Sequence, residues 1–197
     1  MEMALPNRQS GLGIRGVAHM KLTIAKKDVD KAILRGMTTS PTGTGEPGLL
    51  THDNGDGTVT IEGYRGNAFV NQGLQAVLDS AYGDLVANRI DHIALSGDTT
   101  AVTAATTTIG TPNSIKVTAN TARTNQTVAS DQTWTQADVN FAIAKIGLLT
   151  GTAATDVANI IGGTGGSAPY NEPFTIDLTN IATWSLTMGV DVTATAS

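Results

Sequence analysis

WSLTMGVDVT, residues 184–193, alternates without a break. Trp184, Leu186, Met188, Val190 and Val192 fall on one side; Ser185, Thr187, Gly189, Asp191 and Thr193 fall on the other. Successive side chains of a strand point to opposite faces, so this period of two predicts a strand with one face buried and one wet. Such a strand belongs to an antiparallel sheet packed on a second layer, as in a sandwich. Trp184 is in phase with Leu186 and Met188 and reads as core.

Upstream, the same pattern recurs in shorter pieces. Phe174, Ile176 and Leu178 make one strand, residues 127–135 suggest another, and Ile115 and Val117 begin a third. Val139, Phe141 and Ile143 alternate, and Ile146 with Leu148 keeps the spacing on the opposite parity; a β-bulge near residues 144–145 would produce that switch. Residues 17–24 predict a first strand with Met20, Leu22 and Ile24 on one side, followed by a short helical turn on Val29, Ile33 and Leu34 before Gly36. In residues 49–63 the DNGDG run predicts a hairpin turn, with Val59 and Ile61 on one face. Residues 38–48, TTSPTGTGEPG, read as a loop, and the glycine-rich residues 151–168 as a surface excursion with a small apolar patch at Ile160 and Ile161.

Only residues 69–93, FVNQGLQAVLDSAYGDLVANRIDHI, give a helix followed by a strand. Val70, Leu74, Val77, Leu78 and Ala81 line one helical face, Asn67 or Asn71 can cap its start, and Gly83 can close its end. The expected fold is therefore mainly β: an antiparallel β-sandwich, jelly-roll-like, with one principal α-helix at residues 70–82. Residues 1–66 would supply an extended arm, first strand, loop and hairpin, and residues 67–197 the sandwich core.

Charged residues make up only 15% of the 197-residue chain, against roughly 25% in ordinary soluble domains. A surface of Thr, Ala, Gly and Asn buries against other subunits at little charge-desolvation cost, which points to assembly and a homo-oligomer. The net charge of −5 argues against a nucleic-acid partner, and the one basic cluster, Lys21, Lys26, Lys27, Lys31 and Arg35, is interrupted by Asp28 and Asp30. No window approaches the roughly 18 apolar residues of a membrane helix, so no membrane partner is expected. The absence of cysteine removes disulfides, thiol nucleophiles and Cys-based zinc sites.

No catalytic constellation emerges, and neither enzyme activity nor a cofactor is expected. His19, His52 and His92 lack metal-ligand spacing. Counted from Asp53, a calcium loop would need oxygen ligands at its third and fifth positions, which are Gly55 and Gly57. GGTGGS at residues 162–167 has no lysine to hold a phosphate, and Pro169 stands where a nucleophile elbow needs glycine. Trp134 and Tyr170, in polar sequence surroundings, are candidates for an interface or a sugar-stacking platform. Residues 1–15 read as an arm that neighbours would order, with Met3, Leu5, Leu12 and Ile14 as its anchors on another subunit's sheet edge.

Three segments together resemble small virion proteins of tailed bacteriophages, of the tail, fibre and head-accessory kind. NAFVNQGLQAVLDSAYG…RIDHIALSGDTTA is similar to their helix followed by an "I-YIALG-G-TA" strand and loop, KIGLLTG at residues 145–151 to their "EIGLF" strand, and WSLTMGVDVTATA to their closing strand. Ser96 stands where the pattern has glycine, and Lys145 where it usually has an acid. The resemblance implies a non-enzymatic virion subunit with other virion proteins as partners. A tail-associated position is favoured, with a capsid decoration protein as one alternative and a carbohydrate-binding module as another.

Overall fold

A computed structural model of the chain describes residues 12–43, 45–67, 90–118, 120–124, 127–162 and 172–196. They form β1 (Leu12–Ala25), β2 (Ile33–Arg35), β3 (Leu50–Asp53), β4 (Thr58–Asn67), β5 (His92–Ser96), β6 (Asn113–Val117), β7 (Asn120–Thr124), β8 (Thr127–Trp134), β9 (Lys145–Leu149), β10 (Val157–Gly162), β11 (Thr175–Asp177) and β12 (Trp184–Ala196). A six-stranded sheet has the order β3-β4-β1-β12-β8-β7, a four-stranded sheet the order β10-β9-β5-β6, and β11 pairs with β2. Every pairing is antiparallel. The chain is mainly β, as its alternation requires. The helix expected at residues 70–82 lies outside the described residues.

β12 sits inside the six-stranded sheet between β1 and β8. Its register sets Met188 opposite Met20, Leu186 opposite Leu22 and Trp184 opposite Ile24, all six buried. Ile93 and Leu95 of β5 and Ile146 and Leu148 of β9 join the same apolar cluster, so the two larger sheets share one core. Each such side chain contributes roughly 1.5–3 kcal/mol when fully removed from water. The four-stranded sheet is covered on its other face too. There Ala94, Leu149 and Ile160 pack with Ile109, which belongs to the loop between β5 and β6.

Several expectations change. Residues 12–15 are not arm but the start of β1, paired with the chain's own β12 from Leu12↔Ala196 to Arg15↔Thr193. The short helical turn is a 3-10 helix at Lys26–Lys31, and Ile33 and Leu34 belong to β2 instead. The parity switch at residues 144–145 is not a bulge but a change of sheet. Ile143 bridges to Ile176, and two residues later Lys145 begins β9, with residues 143–149 buried throughout. Within the expected surface excursion, β10 is a strand hydrogen-bonded to β9, with Val157, Ile160 and Ile161 buried.

Candidate functional site

Ser96 and Lys145, the two departures from the phage-like pattern, are cross-strand partners on β5 and β9. Both are fully buried. Lys145 Nζ donates to Asp98 Oδ2 at 2.8 Å and to Thr100 Oγ1 at 2.9 Å. The carboxylate also accepts from Thr100 N and Thr100 Oγ1, each at 2.9 Å, while Asp98 N donates to Ser96 Oγ at 3.1 Å. The Lys145 hydrogen bond, aided by those from Thr100, holds the Asp98 carboxyl below the usual carboxylate range against the opposing effect of burial. Gly110 (φ +85°) passes so close to this carboxylate that an added Cβ would meet Oδ2 at 2.1 Å. The cluster therefore clamps the loop that lays Ile109 over the four-stranded sheet. Chemically it is a hydrogen-bonded ion pair.

On the outer face of the six-stranded sheet, the His19 ring lies across Gly189, where a Cβ would meet ring atoms at 2.3 Å and the Ser130 carbonyl at 2.7 Å. His19 Nδ1 stands 3.7 Å from Asp191 Oδ1, an oxygen that is buried with no hydrogen-bond partner among the described residues. Burial pushes the Asp191 carboxyl above its ordinary value, the His19 charge pulls it down and the Asp131 charge pushes it up. A raised folded-state pKa favours the native state only while the carboxyl is protonated. That contribution is present below the unfolded value of 3.8 and is lost as pH rises through the folded one. Asp191→Asn is accordingly expected to raise the thermal midpoint at pH 7 and to lose this advantage below about pH 3.8. Melting curves across that range check it, and an unchanged midpoint at neutral pH would contradict the assignment.

A groove of about 390 Å³ opens beside β2 and the residues that lead into β3, lined by Leu34, Arg35, Met37, Pro47, Leu49 and Glu172. Thr38 bridges to Pro47, and Gly48 N donates to the Met37 carbonyl at 3.0 Å. Met37 and Leu49 rest against Gly63, whose missing side chain makes room for both. All four residues of β3 are exposed, and Leu50 and Ile33 are among the few large apolar side chains facing water.

Met3, Leu5 and Tyr170 lie outside the described residues. Leu12 is the first residue of β1, and Ile14, also in β1, is half-buried. Trp134 is not at a surface: it is fully buried in the shared core, its register partner Leu186 beside it. That corrects its reading as a sugar platform, since an indole with no exposed face stacks on nothing outside. The polar residues around it in sequence misled: Thr133 faces the other way by alternation, and Gln132, in phase with Trp134, donates its amide to the Val117 carbonyl at 2.8 Å. Sequence reasoning missed the Ser96–Asp98–Lys145 cluster, although the two departures from the pattern were its signal. Among the described residues no three His, Cys, Asp or Glu side chains converge as metal ligands, and no helix is long and apolar enough to cross a membrane.

The fold thus defines the chain as a mainly β protein of packed antiparallel sheets. Compared with protein-family models, with curated proteins and with solved structures, it matches none.

Proposed function

We propose that this chain is a non-enzymatic structural subunit of a tailed-phage virion, tail-associated and assembling through repeated contacts with its own copies and other virion proteins. One observation carries the reading. The described parts of the three segments that bear the resemblance form the buried centre of the fold: β5 and β9 are hydrogen-bonded neighbours, and β12 lies inside the six-stranded sheet. The small share of charged residues supports assembly independently.

Immuno-electron microscopy of the particle with antibody against this chain tests the proposal. Gold along the tail is the expected result. Gold over the head surface would replace the tail position with that of a decoration protein, and unlabelled particles would overturn the virion assignment.

A further inference from the structure

We propose that Asn54, in the turn between β3 and β4, is a site of spontaneous deamidation, and that two threonine hydroxyls of β4 hold the reaction back. Asn54-Gly55 is the one Asn-Gly pair of the chain. In such a pair the backbone nitrogen of the glycine attacks the side-chain amide carbon. The N–Cγ bond forms, the Cγ–NH2 bond breaks, ammonia leaves with the proton of the glycine N–H, and a cyclic succinimide remains. Water then opens the ring at either carbonyl, giving aspartate or isoaspartate. Glycine permits the attack because it sets no Cβ in the way. Here both residues are exposed, and Gly55, at φ +79°, has nothing within 4 Å of the place where a Cβ would stand.

The folded turn occupies both reacting groups. Asn54 Nδ2 donates to Thr58 Oγ1 at 2.9 Å and to Thr60 Oγ1 at 3.1 Å, and Thr60 Oγ1 donates to Asn54 Oδ1 at 3.2 Å. The Thr58 hydroxyl gives its own proton to Asp56 Oδ1, so its lone pairs are left to accept from the amide. The attacking nitrogen is engaged as well: Gly55 N donates to Asp53 Oδ1 at 2.9 Å. Hydrogen bonds from Lys26 and from Gly55 N hold the Asp53 carboxyl below the usual carboxylate range. A carboxylate there opposes loss of the amide proton, because two negative charges would then face each other. Ring closure therefore waits for a local opening that breaks these bonds, and its rate follows the population of that opening. The product lacks part of the hold. A carboxylate has no N–H to give Thr58 or Thr60, and it adds a negative charge beside Asp53 and Asp56. Modification thus loosens the turn that joins the edge strand β3 to β4.

Trypsin cuts after Arg35 and Arg65, and the peptide between them carries Asn54 as its one side-chain amide. Full-length protein is aged at mildly alkaline pH, folded in buffer and unfolded in guanidinium chloride, then digested and measured by mass spectrometry. The expected result is replacement of NH2 by OH in that peptide, with isoaspartate at residue 54 among the products, and a faster reaction in the unfolded sample. Thr60→Val keeps the shape of the side chain and removes the hydroxyl. It should speed the folded reaction roughly fivefold, the factor that one net hydrogen bond is worth. Thr23→Val, at the register partner of Thr60 on β1, takes a hydroxyl from the same face and should age like wild type. The proposal is overturned if folded protein ages as fast as unfolded, or if Thr60→Val ages no faster than wild type and Thr23→Val. It is overturned equally if aspartate forms without isoaspartate, since direct hydrolysis of the amide would then be the route.

Discussion

Lys145→Met is expected to destabilise the protein by about 3 kcal/mol, the lower end of the range for removing one partner of a buried ion pair, because the Asp98 side chain keeps 19% of its surface in water. For a chain of this size that lowers the thermal midpoint on the order of 10 °C. Methionine keeps most of the volume, so the loss is electrostatic: Asp98 would remain half-buried, with only its bonds from Thr100. Adding Asp98→Asn to Lys145→Met should recover part of the stability, because a neutral amide is far cheaper to leave in place than an unpaired carboxylate. The pH profile separates this from a packing defect. A depressed folded-state pKa gives stability that is fully present above the unfolded value of 3.8 and is lost as pH falls through the lowered one. The wild type should therefore lose this contribution at acid pH, Lys145→Met should keep only the part that the Thr100 bonds supply, and the double variant should lack it. Thermal melts between about pH 2 and 7 measure it. A Lys145→Met midpoint within a few degrees of wild type would sink the clamp.

Strands were legible wherever one face is buried and the other wet. β12 and β1 follow that rule, so Leu186, Met188, Leu22 and Ile24 declare their faces in the sequence. The rule fails for strands covered on both sides. Residues 143–149 of the chain passing into β9 are all buried, so the parity of their apolar residues carries no information about facing, and a crossing between sheets looked like a bulge. Gly189 fails differently: it lies on the outer face by phase, yet is buried because the His19 ring from the neighbouring strand covers it. Nothing in a one-dimensional pattern couples residue 19 to residue 189. The groove was invisible for the same reason. Its walls come from residues 34–37 and 47–49, joined across an irregular loop by Gly48 N to Met37 O, and glycine at 63 admits both side chains. Lys145 was singled out in the sequence as a departure from a pattern, but its meaning needed the register that sets it opposite Ser96.

Trp134→Ala is expected to cost about 3–5 kcal/mol, the range for emptying a fully buried aromatic site. Trp134→Phe should cost much less, on the order of 1 kcal/mol, for a reason specific to this site. The indole Nε1 is buried without a hydrogen-bond partner among the described residues. An unsatisfied buried donor carries a penalty of about 1–3 kcal/mol, and phenylalanine removes that donor while keeping most of the apolar surface. The lost ring volume opposes the gain, and so does some weakening of the attraction from Lys116, whose Nζ stands 5.8 Å from the Trp134 ring centroid. Lys116 itself stays in place, since it is bonded to Asp138 at 2.8 Å and to the Thr133 carbonyl at 3.2 Å. Urea unfolding of the two variants measures the difference. Equal losses for Phe and Ala would mean that the indole nitrogen is bonded after all. The same pair of variants bears on ligand binding. A residue on a sugar platform gives up binding with its stability intact, whereas a core residue gives up stability first, and binding only through unfolding.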